Sequence, residues 1–167
     1  EYYYERISNL LKRKLTKKVD SFIYSDKEQK GNLFGSMAAD VSKPWLYQIY
    51  LDYGSVDNNL QHELVHTFTG EFGVTPFKVA KDFNAALIEG FASAIDDSLS
   101  ENSIHYYASL ALTYNKSFDI NLLFNNSSFF SNYSNFSYIV AGSFIKYLIN
   151  NYKIENVIKF YQNYDFN

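Results

Sequence analysis

The sequence predicts an α+β fold in which a small mixed sheet and one motif-bearing helix precede a mostly helical C-terminal half. Three observations predict it. Stretches rich in β-branched and aromatic residues with strand character fall between residues 19 and 51. Apolar residues recur at helical spacing before them, and again from residue 56 almost to the end. The length, 167 residues, suits one domain over 1–167, and 47% hydrophobic with 20% charged residues is ordinary for a globular protein.

Each element follows from its pattern. Residues 2–18 place Ile7, Leu10, Leu11 and Leu15 on one helical face. Lys12, Arg13, Lys14, Lys17 and Lys18 lie opposite, as a solvated basic face. Residues 19–24 alternate and read as a strand; the polar run 25–32 reads as a turn or loop, and a short second strand is expected around 33–39. Pro44 leads into a third strand, 45–51, broken at Gly54. A helix is expected over 56–69, with Gly70 as its C-cap. Another is expected over 84–97, with Leu87, Ile88, Phe91, Ala92 and Ile95 as its apolar positions. Helices over 103–114, 138–152 and 155–164 complete the chain, separated by an Asn/Ser/Phe-rich connection at 117–136 with a short helix near 120–123.

Composition narrows the function classes. A net charge of −3 gives no nucleic-acid signature. No apolar run reaches the ~18 residues that a membrane span needs, because Gly142, Ser143 and Lys146 interrupt the longest one. With no cysteine there is no disulfide and no thiolate metal site, which fits a reducing compartment but also many secreted proteins. The 16 Tyr and 15 Phe, beside abundant Asn, Lys, Ile and Ser, read as the codon bias of an AT-rich genome. The chain opens at Glu1 without a signal-peptide pattern and reads as a mature or trimmed stretch of something longer. No pattern signals an oligomer.

Within the helix expected at 56–69 stands His62-Glu63-Leu64-Val65-His66, an H-E-x-x-H motif. Histidines at i and i+4 project from one helix face, so both imidazoles can converge on one zinc ion. Glu63, one residue after the first ligand, is placed to reach a water on the metal, take its proton and pass it to a leaving amine. With 3 His and 8 Glu, a shuffled chain holds such a match only about 0.002 times. A catalytic zinc site usually takes three protein ligands. His105 is 39 residues beyond His66, so the better third ligand is Glu89, 23 residues on. It is a carboxylate in the apolar run Ala85-Ala86-Leu87-Ile88-Glu89-Gly90-Phe91-Ala92, where an uncompensated charge is costly. Gly90, which costs ~1 kcal/mol in a helix interior, makes sense if two helices approach closely beside the metal.

H-E-x-x-H followed two dozen residues later by Glu89-Gly90-Phe91-Ala92 resembles the gluzincin zinc metallopeptidases, the thermolysin-like branch of zincins, and in particular the bacterial peptidase MA-like domains. Residues 138–148 look like that group's late helix behind the active site, and the likeness runs from about residue 19 to 161. The resemblance implies a zincin-like fold, Zn2+ as cofactor, a peptide or protein as substrate, His62, His66 and Glu89 as ligands and Glu63 as general base. It also implies an edge strand that can hold an extended peptide, supplied by residues 45–51 or 33–39. A secreted or cell-envelope bacterial setting is favoured over a cytoplasmic one. The sequence departs from the family where an Asp often orients a zinc-bound histidine, since Ser93 stands there; Asp96 is the substitute. For the residue that stabilises the oxyanion, Tyr138 is the first candidate and His105 the second. Two alternatives stay open: a catalytically inactive zinc-binding domain used for binding or scaffolding, and a hydrolase of another substrate class.

Overall fold

The computed structural model describes residues 1–96, 103–131 and 134–164. Alternation along β3 (Gln48–Asp52) turns Ile49 and Leu51 into the core, and this strand is the middle of a three-stranded mixed sheet of order β1-β3-β2. β1 (Asp20–Tyr24) runs parallel to it, in the register Asp20 with Gln48 through Tyr24 with Asp52. β2 (Val41–Lys43) runs antiparallel and forms one edge of the sheet. Trp45 and Leu46, expected in a strand, lie instead in the β2–β3 turn, where Leu46 N–H donates to Lys43 O at 2.9 Å. Residues 45–51 are therefore no edge strand.

Two further expectations are corrected in the N-terminal third. α1 (Tyr2–Leu11) stops before the basic residues, because Lys12 turns left-handed (φ 51°) and Ser8 Oγ donates to the Arg13 carbonyl at 2.7 Å. Residues 25–39 hold no strand. They form α2 (Lys27–Phe34), capped by Asp26, whose side chain accepts from Gln29 N–H at 2.8 Å, and closed by Gly35 at φ 91°. The helix buries a cation rather than an apolar stripe. Lys30 is fully buried between Asp40 and Asp52, paired with both, at 3.5 Å from Asp52.

The C-terminal half is helical, as expected. α3 (Val56–Thr69) packs on β2 and β3. Its other side meets α4 (Ala85–Asp96), whose start is capped by Asn84 Oδ1 accepting from Leu87 N–H at 3.1 Å. The expected helix end at Asp97 lies outside the described residues. α5 (Ile104–Tyr114), a 3-10 turn at Ile120–Phe124, α6 (Asn126–Ser131), α7 (Ser134–Asn151) and α8 (Ile154–Asn163) follow. Gly90 does mark a close helix approach, but to α7 rather than to α3. A Cβ there would stand 3.0 Å from both Ala141 O and Ile145 Cγ1. Ile7, Leu11, Val65, Phe68, Leu87, Phe91 and Tyr161 join α1, α3, α4 and α8 into the main core, which fixes α3 against α4. Among the described residues no helix is long and apolar enough to cross a membrane.

Candidate metal centre

α3 and α4 carry the side chains of interest and are held together beside them by Gln61, whose buried Nε2 donates to Ile95 O at 2.9 Å. One turn separates His62 from His66, so both rings leave α3 on the side facing α4, with centroids 4.9 Å apart. Glu89 projects from the facing helix between Leu87 and Phe91, which point into the core. Its Oε2 stands 3.3 Å from His62 Nε2 and 3.5 Å from His66 Nε2. Those are at the long end of N–H···O hydrogen bonds. They are the separations expected of ligands around one ion, since donors at ~2.0–2.1 Å in a tetrahedron stand about 3.3–3.4 Å apart. The three donor atoms lie within 4.8 Å of one another, and two imidazoles with a carboxylate are a donor set that suits zinc.

The electrostatics follow from two histidines and several carboxylates in a half-buried space. Burial opposes a charge on His66, but Glu89, by its charge and by hydrogen bonding, and then Glu63 outweigh it and raise the imidazolium pKa to about 9. Burial also opposes the charge on Glu89, and the neighbouring His66 and His62 hold its carboxyl well below the usual range. Glu63 is buried, and burial pushes its carboxyl up; the two histidines pull against that, while Glu89 and Asp40 add to it. The structure thus places two carboxylates in one site with pKa values driven apart, one toward the anion and one toward the acid.

The other expected residues divide. Asp96 stands at the end of α4 with Oδ2 3.9 Å from His62 Nδ1, on the opposite edge of the ring from Glu89. Tyr138, on α7, lies with its ring centroid 6.3 Å from that of His62. Burial first, then the charges of Glu89 and Glu63 and a hydrogen bond to Glu89, push its phenol well above the ordinary range, so it remains an O–H donor. His105 is not brought to this site. It lies in a separate surface groove, where its Nδ1 is 2.9 Å from Ser143 Oγ.

All the assembled residues face one cleft of about 820 Å³. The sequence reading missed several of its walls. Asn59 is one helical turn before His62 and Glu63, a spacing that could have revealed it. Asp40 and Trp45 come from the segments around β2, with no local signal tying them to the motif. Asp40 accepts from Asn59 Nδ2 at 2.7 Å and pairs with Lys30. Burial opposes its charge, but hydrogen bonds from Lys30, Ser55 and Asn59 hold its carboxyl below the usual value. Comparison with protein-family models, with curated proteins and with solved structures finds no match for this chain.

Proposed function

We propose that this chain is a zinc-dependent metallopeptidase, of the gluzincin kind that its motifs resemble, with His62, His66 and Glu89 as metal ligands. The observation that carries the reading is the pair of distances, 3.3 and 3.5 Å, from the two histidine Nε2 atoms to the same Glu89 oxygen. A bound zinc would polarise a peptide carbonyl and acidify a water. Glu63, buried and with its carboxyl pushed up, takes the proton from the attacking water and returns it to the departing amine nitrogen, so the peptide is split into an acid and an amine. Tyr138 donates its O–H toward the oxygen on which charge develops. Asp96 positions His62 by facing Nδ1, which leaves Nε2 for the metal.

Two features of the cleft favour a peptide. β2 lines it, and its outer edge pairs with no other strand among the described residues, so an extended chain can add there. Asp40, Glu63, Glu89 and Asp96 all face the cleft, and no Lys or Arg lines it among the described residues. A phosphodiester or other polyanion would find no lysine or arginine there to receive its phosphates.

The test combines metal content with hydrolysis. Wild-type protein purified without chelator should hold about one zinc per chain by plasma mass spectrometry, and Glu89→Ala should lose most of it. Glu63→Gln should keep the zinc and lose roughly 10²–10⁴-fold in cleavage of a mixed peptide pool. Zinc without any cleavage would leave the inactive zinc domain as the reading, and no zinc after its addition would overturn both.

A further inference from the structure

The cleft does not end at its metal-facing wall. Trp45, which lines it from the β2–β3 turn, meets Phe77 edge-on with ring centroids 4.9 Å apart, and Phe77 in turn meets Phe83 at 5.8 Å. All three rings are open to solvent, Phe77 and Phe83 at 47% exposure, with Val74 exposed at 51% on the same loop. Contiguous exposed apolar surface beside a cleft marks a binding surface more often than singly scattered exposed residues do.

The backbone beneath these rings is held in a disfavoured state. Among the described residues, four of the five non-glycine positions with positive φ flank this surface: Tyr47 (57°), Lys78 (54°), Asp82 (57°) and Phe83 (54°). A bulky residue such as Phe seldom adopts that conformation, and strain of this kind collects where a function requires it. Here the surroundings enforce it. Val74 N–H donates to Val79 O at 3.0 Å and Lys78 N–H to Thr75 O at 2.9 Å, closing the loop on itself. At Gly73 the loop returns so tightly that a Cβ would fall 2.1 Å from the Lys78 carbonyl carbon. Lys78 Nζ donates to Tyr47 Oη at 2.9 Å, and Tyr47 Oη donates to Glu71 at 2.8 Å, latching the loop to the turn that carries Trp45. Trp45 and Phe77 are therefore presented by a braced scaffold.

We infer that Trp45, Phe77 and Phe83 form a subsite that receives one large apolar side chain of the polypeptide bound along β2, and so set a preference for such a residue near the bond that is cut. This rests on the peptidase reading. The occupant is the substrate because the surface is continuous with the cleft through Trp45, which belongs to both.

Trp45 is the sole tryptophan of the chain, so its emission reports occupancy without any turnover. The experiment titrates zinc-loaded Glu63→Gln protein with short Gly/Ser peptides carrying Phe, Leu, Ser or Lys at one central position. The Phe and Leu peptides should shift the emission to the blue saturably and bind roughly tenfold or more tightly than the Ser peptide. Phe77→Ser and Phe83→Ser, changes at exposed positions, should erase that difference while metal content stays as it was. Equal binding of all four peptides, or a preference that survives both substitutions, would overturn the subsite. So would a blue shift produced without peptide by raising the protein concentration or by phosphatidylcholine vesicles, which would assign the rings to a second copy or to a bilayer. A parallel arm digests the peptide pool with wild-type protein. Cleavage without apolar preference sinks the subsite and spares the peptidase; preferential binding without cleavage does the reverse.

Discussion

His62 has a carboxylate on each edge of its ring, Glu89 at Nε2 and Asp96 at Nδ1, and the two do different work. On the proposed metal reading, Glu89 would share the ion and Asp96 would orient the ring. Asp96→Asn should therefore weaken zinc binding roughly 10–100-fold, measured by competition with a chromophoric chelator, while the melting temperature of the metal-free protein stays close to wild type. His66 supplies a pH signature. Its folded pKa of about 9 lies above the ordinary 6.5, so in metal-free protein the pairing with Glu89 contributes stability that is complete below pH 6.5. That contribution is lost as the pH rises through 9. Thermal melts in EDTA should fall across this window, whereas in zinc-loaded protein, where His66 would be held as a neutral ligand, the fall should be absent.

At the scale of elements, α2 joins the cleft to the sheet by charge rather than by apolar packing. Lys30 is enclosed by Asp40 and Asp52, and Asp40 also holds Asn59 of α3, so one buried cation links α2, the segment before β2, β3 and α3. Removing it leaves two buried carboxylates without their partner. Lys30→Ala should cost about 3–5 kcal/mol in urea unfolding. α2 also shows why local patterns mislead. Asp26, Gln29 and Gly35 spelled out a capped helix, but without an apolar face at helical spacing the segment read as loop and strand. The strands depart from expectation for a related reason. Residues 45–51 are rich in β-formers, but the left-handed Tyr47 puts Trp45 in a turn and starts the strand only at Gln48.

At the scale of the whole molecule, the site joins α3, α4 and α7 around a cleft whose far wall is the β2 edge. A metal that binds only this assembled arrangement stabilises all of it. At free zinc a thousandfold above its dissociation constant the gain is ~4 kcal/mol, or about 8–16 °C in melting temperature for a chain of this size. Chelation should remove that increment, and Glu89→Ala protein should not show it.

The sequence by itself determined the α+β class, the helices bearing the motif and Glu89, and the convergence of His62 with His66, because these depend on helical periodicity and on spacing within a single turn. It also carried Glu89 as a carboxylate that an apolar helix would not otherwise tolerate. Tertiary structure decided what depends on which elements meet. It packed Gly90 against α7 rather than α3, set Asp96 behind His62 and Tyr138 beside it, and sent His105 to another groove on the contact with Ser143. Asp40, Asn59 and Trp45 came to the cleft the same way, and the sheet order put β2 rather than residues 45–51 at its edge. Contacts between residues far apart in the chain are fixed by packing, and packing leaves no local period to read.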